Sequence, residues 1–92
     1  MKFEWDEAKN VANLQKHGID FADVVEIFDG VMLVQRDERD DYGEERWVGI
    51  GTVQSSLLVV IYTERHGDTL RLISARKATK YEVRRYEETL QR

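Results

Sequence analysis

The stretch Leu57-Leu58-Val59-Val60-Ile61-Tyr62-Thr63-Glu64-Arg65-His66-Gly67-Asp68-Thr69-Leu70-Arg71-Leu72-Ile73-Ser74-Ala75-Arg76-Lys77-Ala78 decides the fold. It reads as two apolar strands joined by a tight turn, because Val, Ile, Leu and Tyr suit a pleated, half-buried surface. Gly67-Asp68 is the Gly-X pair of a two-residue hairpin turn, in which Gly takes a positive φ without steric cost. Such a turn sets the register, with His66 opposite Thr69 and Glu64 opposite Arg71. Leu57, Val59 and Ile61 then share a core face with Leu70 and Leu72, and Arg76 continues that face past Ser74. A charge that leaves a core face needs a partner, a groove or a ligand, since an unpaired buried charge costs several kcal/mol.

Upstream of the hairpin, Lys2-Phe3-Glu4-Trp5 alternates like a short edge strand. Asp6 caps a first helix with Ala8, Val11 and Ala12 on its apolar face and Leu14 beside it. Lys16-His17 fill its last turn, and Gly18 stops it. Asp20 caps a second helix with the stripe Phe21, Val24, Val25 and Phe28, ended by Gly30. Val31 to Val34 is a short strand, Arg36 to Glu45 a charged loop, and Arg46 to Val53 a strand. In that strand Trp47 and Val53 face one way and Val48 and Ile50 the other, and Gly49 and Gly51 make room for a neighbour or mark a bulge. After the hairpin, Thr79-Lys80-Tyr81-Glu82 is a capping box that opens a last helix with Val83, Tyr86 and Leu90 on one face. The expected order is β-α-α-β-β-β-β-α: an α+β domain spanning residues 1–92, an antiparallel sheet with an N-terminal helix pair and a C-terminal helix packed on one face of it.

Bulk properties narrow the function. Ninety-two residues make one small core. The chain has no cysteine, which excludes disulfides and thiolate zinc sites and fits a reducing cytoplasm. No apolar run approaches the roughly 20 residues that cross a bilayer, and acidic residues interrupt any signal-peptide pattern at the N-terminus. The net charge of −4 argues against a generic basic nucleic-acid binder. Base is nevertheless concentrated at Arg76-Lys77, Lys80 and Arg84-Arg85, next to a helix N-terminus that favours anions. There is no His-x-x-x-His pair, calcium-loop spacing, Gly-rich phosphate loop or nucleophile elbow, so neither a metal nor a cofactor is expected.

Several segments resemble the BrnT-type toxins of type II toxin–antitoxin modules. They are Phe3-Glu4-Trp5-Asp6 with Lys9, Lys16-His17-Gly18-Ile19 with Phe21, Glu45-Arg46-Trp47, Gly49-Ile50-Gly51, Val60-Ile61-Tyr62-Thr63-Glu64-Arg65, and Arg71-Leu72-Ile73-Ser74-Ala75-Arg76-Lys77-Ala78-Thr79. They run in order over nearly the whole chain. The resemblance implies a RelE-like fold and a cytoplasmic, metal-independent endoribonuclease that blocks translation. It also implies a BrnA-like antitoxin with a ribbon-helix-helix part, through which alone DNA is bound, and a hetero-oligomer with that antitoxin; no membrane is involved. The acidic segment Asp37 to Glu45 matches no family role.

Metal-free RNA cleavage needs a base for the 2′-OH, cations on the phosphate and an acid for the leaving oxygen. Arg76 and Arg65 suit the phosphate, because guanidinium is always charged and binds in a bidentate fork. Lys77 and Lys9 add charge, and Glu64, His17 or His66 can serve as base. The catalytic set is therefore Lys9, Glu64, Arg65, Arg76 and Lys77, with His17 and Tyr81 as further catalytic or RNA-binding candidates. Plainer readings stand beside these. Glu64 pairs with Arg71, His17 only ends a helix, His66 is solvated, Lys9 is a surface lysine and Tyr81 packs. The alternative function is a non-catalytic module, a degenerate toxin acting as co-repressor through its antitoxin.

Overall fold

The computed structural model describes residues 1–90. The hairpin strands β4 (Ser56–Arg65) and β5 (Thr69–Lys77) lie at the middle of a five-stranded sheet. β1 (Lys2–Trp5) flanks β5, and β3 (Trp47–Val53) and then β2 (Leu33–Arg36) flank β4, giving the order β1-β5-β4-β3-β2. The sheet is mixed, not antiparallel throughout: β1 runs parallel to β5, pairing Lys2 with Thr69 and Trp5 with Leu72. Its alternation is legible in the sequence, but period-2 patterning is the same for either strand direction.

The hairpin register differs from expectation by one residue. Arg65 pairs with Thr69 and Glu64 with Leu70, so the connection is the three residues 66–68. His66 itself joins Gly67 in the left-handed region, at φ 59° and 77°. Glu64 therefore does not face Arg71, whose guanidinium reaches Glu4 on β1 at 2.6 Å instead. Further along, Tyr62 pairs with Leu72 but Ile61 with Ser74, so Ile73 is an extra residue in β5. This bulge reverses the facing of everything after it. Leu70 and Leu72 join Leu58, Val60, Tyr62 and Ala75 in the core. Ser74 and Arg76 lie with Val59 and Ile61 on the opposite face.

The core face is covered by residues 21–29, which form not one α-helix but two 3₁₀ turns, Phe21–Asp23 and Val25–Asp29. The element order is accordingly β-α-β-β-β-β-α with 3₁₀ turns after the first helix. Phe21, Val24 and Ile27 are all fully buried, and their spacing of three matches the three-residue turn of a 3₁₀ helix. Aromatic contacts knit this layer to the sheet: Trp5 meets Phe21 edge-on at 6.0 Å, and Phe28 meets Phe3 at 5.4 Å and Tyr62 at 5.0 Å. Gly49 and Gly51 do make room. A Cβ on Gly51 would sit 2.7 Å from Ile27 Cγ1, and one on Gly49 would strike Met32. β2 begins two residues later than the apolar run Val31-Met32 suggests, because Met32 turns inward against these glycines.

Helix α1 (Glu7–His17) has the expected ends, with Asp6 accepting from the Lys9 amide and Gly18 at φ 71°. Its buried side is not the apolar one. Ala8, Val11, Ala12 and Leu14 are exposed, whereas Asn10 and Asn13 are buried. The reason is the unpaired edge of β5 beyond the end of β1. Asn13 accepts from the Ala75 amide at 3.0 Å and donates to the Ala75 carbonyl at 2.9 Å and to the Ile19 carbonyl at 3.0 Å. Asn10 accepts from the Phe21 amide and donates to Asp20. The Asn13 carboxamide thus stands in for a missing strand at Ala75, while Asn10 ties the start of the 3₁₀ segment to α1, since buried backbone groups must find partners. Helix α2 (Lys80–Leu90) does not share this layer. It lies on the other side of the sheet, where Arg85 reaches Gln35 and Tyr86 donates to the Val31 carbonyl.

Candidate functional site

The second face of the sheet is only partly covered, and the uncovered part is a groove of about 670 Å³. Val48, Val59, Ile61 and Ser74 form its floor. Lys16 and His17 enter from the last turn of α1, which Gly18 ends at that point. Residues 35–39, at the end of β2 and just beyond, line it opposite, and Arg76 and Glu82 complete it. Four permanent cations, Lys16, Arg36, Arg39 and Arg76, line the groove with three carboxylates, Asp37, Glu38 and Glu82. In a chain of net charge −4, this is a local cationic excess.

Arg76 reaches the groove because of the Ile73 bulge and is held there by Glu82. Its Nη1 and Nη2 donate to the two carboxylate oxygens at 2.7 and 2.9 Å. Glu82 is in turn held by the capping box: its Oε1 accepts from the Thr79 amide at 2.9 Å, and its own amide donates to Thr79 Oγ1 at 3.2 Å. The hydrogen bonds from Arg76 draw the Glu82 carboxyl down from its ordinary 4.5 to about 2, against the opposing effect of burial. The same pairing raises the Arg76 pKa. The N-terminus of α2 is thus occupied by its own glutamate, and the expected convergence of Lys77 and Lys80 on it does not occur. Lys77 alternates away from Arg76 and is exposed, as are Lys80 and Tyr81, and none of the three lines the groove.

A second arginine is gripped in the same cavity. Arg39 donates from Nε and Nη2 to the two oxygens of Asp37, both at 2.8 Å. Asp37 also accepts from the Arg39 amide and the Tyr42 hydroxyl. The hydrogen bond from Arg39 lowers the Asp37 pKa in spite of burial.

The expected site residues divide into two groups. Arg76 and His17 share the groove, and Lys9 lines a shallow extension of it with Lys16, His17 and Ser74. Glu64 and Arg65 lie at the hairpin tip with His66, Trp47 and Glu44. Arg65 lies six residue steps along β4 from Val59, the partner of Arg76, or about 20 Å of strand. Arg65 there donates to Glu44 at 3.3 Å. Lys16, Arg36, Arg39 and Glu82 were not among the expected site residues. Glu82 carried a signal as the last residue of the capping box, and Lys16 as a neighbour of His17. Arg36 and Arg39 sat in a segment read only as a charged loop. Among the described residues, no group of three or more His, Cys, Asp and Glu side chains is placed to hold a metal ion, and no helix is long and apolar enough to cross a membrane.

The chain is a small α+β domain with a single mixed sheet, one apolar face buried and the other opened into a groove lined by arginine, lysine and carboxylate side chains. A family model described as "Ribonuclease toxin, BrnT, of type II toxin-antitoxin system" matches residues 5–82. The crystal structure of the Brucella abortus ribonuclease toxin, BrnT, is similar with a TM-score of 0.72 and 34% sequence identity, over 87% of this chain and 99% of that one. No curated protein sequence matches. The chain belongs to the BrnT family of ribonuclease toxins of type II toxin–antitoxin systems. Membership implies an antitoxin as partner.

Proposed function

We propose that the chain is a metal-independent endoribonuclease that cleaves RNA by 2′-OH attack in the groove and so inhibits translation. The observation that carries this reading is that Arg76, held bidentately by Glu82, shares one cavity with the imidazole of His17. Arg76 binds the scissile phosphate, with Lys16 and Lys9 adding positive charge. A base, for which His17 is the groove's candidate, takes the 2′-OH proton. The 2′-oxygen bonds to phosphorus, the bond from phosphorus to the 5′-oxygen breaks, and an acid protonates the leaving oxygen. The products are a 2′,3′-cyclic phosphate and a 5′-hydroxyl. Imidazole can accept a proton at one nitrogen and donate one at the other. Preorganised cations and a positioned acid or base each supply factors of roughly 10²–10⁴. Glu64, Arg65, Lys77 and Tyr81 are left outside this centre. They can still meet RNA beyond the cleaved bond.

The partner in this reading is a BrnA-like antitoxin of ribbon-helix-helix type. It neutralises the toxin in a hetero-oligomer and provides the DNA contact of the pair in the cytoplasm. The experiment is cleavage of end-labelled RNA by the purified chain in excess EDTA, beside Arg76→Ala. Cleavage that persists in EDTA, leaves cyclic phosphate ends and disappears in a folded Arg76→Ala protein is the expected result. A folded wild type that neither cleaves RNA nor arrests growth when expressed alone would replace this reading with the non-catalytic co-repressor.

A further inference from the structure

We infer that Arg39 is a second phosphate-binding residue of the groove, engaging the RNA backbone beside the phosphate held by Arg76, and that Asp37 is its positioning residue. This deepens the reading above and rests on it for the identity of the ligand.

The geometry at Asp37 is one-sided. Its side chain is 1% exposed, whereas that of Arg39 is 69% exposed. Pairing with so exposed a cation adds little stability, and withdrawing the carboxylate from water costs some. What the arrangement does accomplish is orientation. A guanidinium has five N–H donors in one plane. Asp37 takes two of them in a parallel fork, which fixes that plane and leaves the others for a ligand in the groove that Arg39 lines.

Asp37 is itself fixed. Its backbone amide donates to the Arg46 carbonyl at 2.8 Å, and Tyr42 donates to its carboxylate. Arg46 lies 4.1 Å above the centre of the Tyr42 ring and pairs with Glu44 at 3.1 Å. Three carboxylates of the acidic segment are therefore committed to arginines: Asp37 to Arg39, Glu44 to Arg46 and Arg65, and Glu45 to Arg36. Within this segment it is Asp37 that anchors Arg39. Glu38 also lines the groove. Arg39 and Arg76 both line this groove, each with a carboxylate of its own, so a phosphate held there can meet both guanidiniums.

The test is binding of a fully 2′-O-methylated RNA oligonucleotide, which this chemistry cannot cleave, followed by fluorescence anisotropy over a range of salt. Arg39→Ala should weaken binding about tenfold and reduce the slope of log Kd against log salt by about 0.7, the value of one single-strand phosphate contact. Arg39→Lys should keep the slope and recover part of the affinity. Asp37→Asn, which keeps the cation but loosens it, should weaken binding without changing the slope. Lys2→Ala, at the far edge of the sheet, should match the wild type. Wild-type affinity and slope in both Arg39 variants would overturn the inference and leave the proposed ribonuclease standing. Binding with the Arg39 dependence described, in a wild type that does not cleave unmodified RNA, would support Arg39 and reject the catalysis. A wild type that does not bind at all would overturn both.

Discussion

At one end of the β4–β5 hairpin Arg65 meets Glu44 at 3.3 Å; at the other, Arg76 meets Glu82 at 2.7 Å. The two arginines are similarly exposed, at 42% and 39%, so neither exposure nor residue type distinguishes them. Their surroundings do. Arg65 projects at the tip of a two-stranded ribbon, and its glutamate is shared with Arg46. Arg76 sits beside an apolar floor, with His17 and Lys16 brought in by α1 and Arg39 by the loop after β2. Partial exclusion of water at such a floor strengthens each electrostatic contact, and convergence from three elements would let one phosphate meet several groups at once. The hairpin alone specifies an arginine at each end; the packing around it sets one of them in a groove.

The largest effect that tests this contrast is on catalysis. Arg76→Ala should lower kcat/KM for RNA cleavage by about 10²–10³, the usual loss for one preorganised charge-stabilising group. Circular dichroism and a thermal melt should show the fold retained, since a partly exposed ion pair contributes little to it.

Next comes the tie that brings α1 to the groove end. Asn13→Ala would leave the Ala75 amide and carbonyl without their partner. It should cost about 2–3 kcal/mol of stability in urea denaturation, at roughly 1–3 kcal/mol per unsatisfied buried group. Hydrogen exchange should then accelerate in α1 and at Ala75 and change little at the hairpin tip. Equal acceleration at both ends would dissolve the distinction between them.

A smaller effect comes from acid. The Glu82 carboxyl is at about 2 in the folded chain, below its ordinary 4.5. A depressed carboxyl contributes stability that is present above 4.5 and is lost as pH falls toward 2. Glu82→Gln should lack this component, and its stability should fall less than that of the wild type between about pH 4.5 and 2. At neutral pH the variant should be less stable by about 1 kcal/mol through the weakened capping box. Asp37, lowered by its bond to Arg39, acts in the same direction, so the wild-type acid transition reports both carboxylates.

The smallest expected effect is at the tip. Arg65→Ala should change kcat/KM less than threefold and stability by less than about 0.5 kcal/mol, as for most exposed pairs. A loss comparable to that of Arg76→Ala would place the reactive centre at the tip and end the contrast.

Much of the fold was legible. The caps at Asp6 and Asp20, the stop at Gly18, the capping box at Thr79–Glu82 and the room-making glycines of β3 are all observed. Each is a device spanning four residues or fewer, or a backbone approach that only glycine permits. The second helix is the exception: the stripe Phe21, Val24, Val25 and Phe28 suits a 3.6 period, whereas the fully buried residues Phe21, Val24 and Ile27 recur at three. Arg76 and His17, both expected candidates, do line one groove, though Arg76 lies on the face opposite the one its pattern suggests. An inserted residue such as Ile73 leaves no mark in an apolar run, yet it reverses every side chain beyond it. Arg39 was hidden because its anchor, Asp37, looks in the sequence like one more acid of a polar loop.

The sequence by itself determined most of the elements, the ends of α1, the β4–β5 strand pair, the presence of cations at the end of β5, and, through motifs spread along nearly the whole chain, the family. These are local properties or ordered patterns, and a linear string preserves them. Only the tertiary structure decided that β1 runs parallel to β5, that α1 buries its asparagines, and that Arg76 opens onto the second face beside Arg39. Each of these depends on where an unpaired backbone edge, a bulge or a buried carboxylate finds its partner. Asn13 and Ala75, 62 residues apart, meet only once the sheet has formed.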